Sequence, residues 1–164
     1  MAGENKVQGA VSFTPIVHVT GADDADAFDT IQHDIKGSLG GEMIYSATDG
    51  ADRWFYTTTR DIVAAHADLI AGNFTDAAVA VHVNDKVKFL FIKNTGTTDG
   101  STATDSKVYL TLDGGDGAAT DDTIEIGAGE AFQVKFKNLT VQLLHAATSS
   151  GTVRCTVAAM IDDV

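Results

Sequence analysis

The sequence predicts an all-β fold, a jelly-roll-like antiparallel β-sandwich with one or two short helices. Three observations carry this. From Asp76 onward, short runs alternate apolar and polar residues at the period of a strand. Gly, Asp and Thr clusters separate those runs at the spacing of turns. No regular strand–helix–strand alternation is present, which argues against a parallel doubly wound sheet. The chain has 164 residues, a length that favours one domain. We therefore read residues 1–20 as an N-terminal arm with a first, edge strand, and 21–164 as a single β-sandwich domain.

Met1 to Lys6 is expected to be an arm. Val11, Phe13, Val17 and Val19 then alternate with polar residues, and Pro15 within that run marks an edge or kinked strand. A short helix is expected over Ala25–Ile35, with Phe28, Ile31 and Ile35 on one face and Gly37, Gly40 and Gly41 ending it. Met43–Ala47 and Trp54–Thr58 read as two strands, with the hairpin dipeptide Asp49-Gly50 in the connection. Asp61–Ala71 reads as a second helix, capped by Thr59 or Asp61 and apolar at Ile62, Ala65, Leu69 and Ile70.

The remaining runs are strands. Val79, Val81 and Val83 form the first. Val87, Phe89 and Phe91 form the second, and Leu90 and Ile92 fill its other face, which predicts a strand covered on both sides. Then come Val108–Leu112, Ile124–Ile126, Phe132–Phe136, Leu139–Leu143 and Val153–Ala159. Two polar loops, Asn94–Ser106 and Asp113–Asp122, are expected at ends of the sandwich.

Composition limits the function classes. The hydrophobic fraction is 44% and the charged fraction 21%, values of a globular rather than a disordered chain. The formal net charge is -12 and the pI about 4.5, so phosphate backbones and anionic lipid are repelled. Neither nucleic acid nor membrane is an expected partner. The N-terminal MAGENKVQGA has no apolar run of the signal-peptide kind. A single cysteine allows no intrachain disulfide.

Residues able to do chemistry are present but not grouped. Asp113, Asp116, Asp121 and Asp122, with Gly114, Gly115 and Gly117, offer oxygens to calcium, yet fit no defined calcium loop; Asp and Gly are also turn residues. Asp23, Asp24, Asp26 and Asp29 raise the same choice. The histidines are His18, His33, His66, His82 and His145. No HxH or HExxH pair occurs, so a zinc site would draw ligands from distant segments. Cys155 falls on an apolar face and reads as buried and structural. Trp54, Phe55 and Tyr56 offer a sugar-stacking platform or core aromatics. Asn73-Phe-Thr75 and Asn138-Leu-Thr140 match the glycosylation sequon. With no GxSxG elbow, the sequence predicts no catalytic residue, no cofactor site, no metal site and no enzyme.

Three segments carry a resemblance. They are Val87–Gly100 with its Lys93-Asn94-Thr95-Gly96 phrase, Ile124–Phe132 with Gly127-Ala128-Gly129-Glu130, and Leu143–Gly151 running into Val153–Val164. The final half of the chain resembles virion structural proteins of tailed bacteriophages, especially those of marine bacteria such as cyanobacteria. The resemblance implies a non-enzymatic capsid decoration (cement) protein on the virion surface, made in the host cytoplasm. Its implied partners are the major capsid protein and further copies of itself, as a homotrimer. The alternative is a carbohydrate- or receptor-binding module of a phage tail or fibre.

Overall fold

Strand period and turn residues together fix where the chain runs straight and where it reverses. The computed structural model describes residues 6–12, 40–46, 51–75, 77–118 and 123–164. Two compact units are present, Val7–Ile44 and a larger one that holds Tyr45–Val164. Strands β1 (Lys6–Ser12) and β2 (Gly40–Ser46) hydrogen-bond to each other as a two-stranded ribbon, most of it in the smaller unit.

Among its described residues the larger unit holds eight strands beyond β1 and β2. These are β3 (Asp52–Val63), β4 (Ala67–Asp68), β5 (Lys86–Asn94), β6 (Val108–Thr111), β7 (Ile124–Ile126), β8 (Ala131–Thr140), β9 (His145–Thr148) and β10 (Thr152–Asp162). A single 3-10 turn, Val141–Leu143, links β8 to β9. One sheet has the order β3-β10-β5-β8 and the other β4-β9-β6-β7. Every pairing within these two sheets is antiparallel. The pairings nest: β3 with β10, β4 with β9, β5 with β8, β6 with β7. Such nesting is one long hairpin rolled over so that successive strand pairs fall in alternate sheets, which is a jelly roll.

The two sheets share one core. Phe55, Val87, Leu90 and Ile92 meet the inner face of β10 (Val153, Cys155, Val157, Ala159, Ile161) and, from the other sheet, Val108, Leu110, Ile126 and Ala146. Each fully buried aliphatic side chain of this kind contributes about 1.5–3 kcal/mol. β5 lies between β10 and β8, and both Phe89 and Leu90 are buried, so it is covered on both faces as its sequence predicts.

Several elements differ from expectation. Asp61–Ala71 is not a helix: Asp61, Ile62 and Val63 extend β3, and Ala67–Asp68 is β4. The ladder from β3 to β10 runs from Asp52 to Val63, and that long-range pairing outweighs a weak local helix propensity. Asp61, the expected cap, pairs instead with Arg154. The strands β2 and β3 exist, and among the described residues β2 pairs with β1 and β3 with β10. Val79–Val83 is not a strand; an isolated bridge joins Asn73 to Ala80, and Val79 and Val83 are exposed. The runs Phe132–Phe136 and Leu139–Leu143 are one strand ending in the 3-10 turn. Their change of phase is absorbed by an irregularity opposite Val87–Phe89, where pairing steps from Leu139 to Lys135. The first strand is Lys6–Ser12, so Lys6 belongs to it rather than to an arm. Pro15, the helix expected over Ala25–Ile35 and the Asp49-Gly50 turn lie outside the described residues.

Candidate functional site

In a jelly roll, alternate connections gather at the same end. Here the β3–β4, β5–β6, β7–β8 and β9–β10 connections do so, and two of the phrases that carry the resemblance pack together there. Asn94 ends β5 with no exposed surface. Its Nδ2 donates to the carbonyls of Ser106 (3.0 Å) and Ile126 (3.2 Å), and its Oδ1 accepts the Gly96 N–H (2.9 Å). Its own backbone exchanges bonds with the next turn: Asn94 N–H donates to Glu130, and Gly129 N–H donates to Asn94, each at 3.0 Å. One buried amide thus ties both ends of the β5–β6 connection to the end of β7.

The Gly127–Glu130 turn is built for this contact. Glu130 N–H donates to the Gly127 carbonyl, and Gly127 N–H donates back to Glu130 Oε2 at 2.7 Å. Gly129 takes φ +81, a left-handed conformation that any side chain would strain.

The β5–β6 connection, residues 95–107, is clamped by Arg154 of β10. The guanidinium donates to both carboxylate oxygens of Asp61 (2.8 and 3.1 Å) and to the Asp99 carbonyl. Arg154 N–H donates to Thr97 at 2.8 Å, and its carbonyl accepts from the Thr95 N–H and hydroxyl. The hydrogen bond from Arg154 holds the Asp61 carboxyl below its ordinary value, and the same bond raises the Arg154 guanidinium. At the tip, Asp99 Oδ1 accepts from the N–H groups of Thr102 (2.7 Å) and Ser101 (2.8 Å). Those backbone bonds, with the two hydroxyls, push the Asp99 carboxyl far below its ordinary value. The result is a polar loop that exposes residues 99–103 in one shape.

The opposite end holds a different group. Asp85, fully buried, accepts the N–H groups of His82 (2.7 Å) and Val164 (3.3 Å). Asp163 accepts Arg53 Nε at 2.8 Å. One ligand atom each of His82, Asp85 and Asp163 lies within 4.8 Å of the others. Asp85 pins Val164, beyond β10, to the turn before β5, and Asp163 ties the same end to Arg53 of β3.

The residues singled out by sequence fall as follows. Asp113 and Asp116 accept the N–H groups of Gly115 and Ala118, the behaviour of turn residues. Asp121, Asp122 and the Asp23–Asp29 group lie outside the described residues, as do His18 and His33. Cys155 is buried, and burial pushes its thiol up to about 12. The aromatic triplet is divided by the pleat: Phe55 enters the core, while Trp54 and Tyr56 share the other face. Phe74 of the first sequon is buried, and Asn138 of the second accepts from Lys88 Nζ. His66 and His145 are brought together. The organising roles of Asn94 and Arg154 were not read from sequence. Their signals were a polar residue closing an apolar strand and a lone cation flanked by core positions. Among the described residues no helix is long and apolar enough to cross a membrane. No family model, curated protein or solved structure matches the chain.

Proposed function

We propose that the chain is a non-enzymatic virion structural protein, a capsid decoration (cement) protein that binds the shell of major capsid proteins and stabilises it. The observation that carries this reading is the braced loop 95–107, fixed by Asn94, Arg154 and Asp99 at one end of the jelly roll. A loop already held in one shape loses little entropy on docking. That suits repeated attachment to many equivalent positions on a rigid shell. The net charge of -12 keeps a dense coat soluble and discourages adhesion to free nucleic acid. Assembly as a homotrimer would match a threefold or quasi-threefold position. Selective binding of the expanded shell would stabilise it by linkage, as any ligand does for the state it prefers. The protein would be made in the host cytoplasm and end on the capsid surface.

The test is cosedimentation of the purified protein with expanded shells of the major capsid protein of the same virus, followed by electron microscopy. Saturable binding at a fixed ratio to shell subunits is expected, with density at symmetry-related positions. Absence of the protein from shells and particles overturns the reading.

A further inference from the structure

His66 and His145 are 79 residues apart in sequence, and the sandwich sets their rings side by side. Asp68 of β4 and His145 of β9 are cross-strand partners, so their side chains share a face. His66, two residues before Asp68, lies on the same side. Ala146, in the alternate phase, belongs to the core, so this face is the outer one. The two Nδ1 atoms are 3.1 Å apart, with ring centroids at 5.3 Å and planes inclined by 41°. His145 Nε2 lies 3.0 Å from Asp68 Oδ1. The Arg60 guanidinium donates to the Asp68 carbonyl and steadies the backbone beneath.

The proton arrangement follows from these contacts. Asp68 accepts the Nε2–H of His145, which leaves His145 Nδ1 as a lone pair in the neutral ring. His66 Nδ1–H then donates to it. The same positions form part of a metal site. Two nitrogens 3.1 Å apart approach the edge of a tetrahedron, about 3.3 Å for metal–nitrogen bonds of about 2.0–2.1 Å. A carboxylate on the far nitrogen is the companion that metal-ligating histidines carry, because it fixes tautomer and ring orientation. His66 needs only to exchange its ring proton from Nδ1 to Nε2 through solvent, and a neutral pair releases no net proton.

We propose that His66 and His145 bind one divalent transition-metal ion, Zn²⁺ or Cu²⁺, through their Nδ1 atoms, with Asp68 orienting His145 and water completing the coordination. Imidazole nitrogen suits these ions, whereas oxygen-only sites suit calcium and magnesium. The ion would tie the approach to β4, a two-residue edge strand, to its neighbour β9. It therefore acts as a clip on the weakest edge of the sandwich.

The untagged, metal-stripped protein is titrated with zinc chloride by calorimetry at neutral pH, and its melting temperature is followed with and without zinc. One equivalent is expected to bind. The melting temperature should rise by about 5–10 °C once free zinc is 100-fold above Kd. His66→Gln or His145→Gln should abolish the saturable isotherm, and Asp68→Asn should weaken binding about tenfold. His82→Gln should leave it intact. Long-range proton–nitrogen spectra of the unmutated protein give an answer even where a variant fails to fold: zinc should move the Nδ1 signals of His66 and His145 together. Absence of stoichiometric binding overturns the proposal, as does binding that survives both His66→Gln and His145→Gln. Loss in His82→Gln with both Nδ1 signals unmoved overturns it in favour of the group at the opposite end.

Discussion

Asn94 is the residue on which the loop end turns, and replacing it with leucine isolates that role. The substitution keeps a side chain of similar volume and removes every polar atom. Three backbone groups lose their partner: the carbonyls of Ser106 and Ile126 and the N–H of Gly96. An unsatisfied buried group costs about 1–3 kcal/mol. Ile126 is buried, so its carbonyl bears the full cost, while the Ser106 contact is only partly buried and water can replace some of it. The expected loss is about 3–5 kcal/mol, a fall in melting temperature of roughly 6–20 °C for a domain of this size. Urea denaturation measures it as a shift in midpoint at unchanged slope. Asn94→Asp is the companion variant. It keeps an acceptor for Gly96 but turns a second oxygen on two carbonyl oxygens, so it should be at least as damaging at neutral pH. A loss below about 1 kcal/mol for leucine, or tolerance of aspartate, would refute the assignment of Asn94 as the tie between the β5–β6 connection and the end of β7.

Three further outcomes follow from the same geometry. Arg154→Met removes the clamp on Asp61 and the Asp99 carbonyl, so amides of residues 95–107 should exchange faster while those of β5 stay protected; unchanged loop exchange would count against the clamp. The carboxyls of Asp61 and Asp99 are lowered in the folded state, so their stabilisation is complete above the ordinary value of 3.8 and is lost as pH falls through the lower folded values. Ser101 and Thr102 amide signals should hold steady down to about pH 4 and move only below it, and movement between about pH 7 and 5 would contradict this. Cys155, with its thiol pushed up to about 12, should resist a disulfide reagent in the native protein at neutral pH and react fully on unfolding; rapid native labelling would place it elsewhere than in the core.

The strands of the sandwich were legible because burial writes a period of two into the sequence. β10 shows it most plainly, with Val153, Cys155, Val157 and Ala159 buried and Arg154 and Thr156 less so. β5 was legible as a central strand because Phe89 and Leu90 fill both faces. Asp61–Ala71 misled because Ile62, Leu69 and Ile70 are apolar at helical spacing, yet they reach the core from the end of one strand and from the turn beyond the next. Periodicity over so short a window does not distinguish these cases. Partner choice was equally hidden: β2 and β3 are adjacent in sequence, but only tertiary contacts decide that each pairs with something else. At the loop end, the glycines of Gly127–Glu130 announced a turn, but the side chain that ties it to its neighbours is a single asparagine with no local pattern. His66 and His145 were invisible as a pair because their proximity depends on the register of β4 against β9.

The nested order of strands also bears on how the molecule comes to exist. β10 is the last strand of the sandwich to leave the ribosome, and it lies in the middle of its sheet, between β3 and β5. Until Thr152 and the residues after it emerge, those two strands have no shared partner and the sheet cannot close. Folding of the jelly roll is therefore held back until β10 has been made, and its long-range pairings make it slow thereafter. A chain stopped before Thr152 would not yield a smaller domain. It would present two unpaired strand edges flanking a missing centre, a species that associates with its own kind rather than folding.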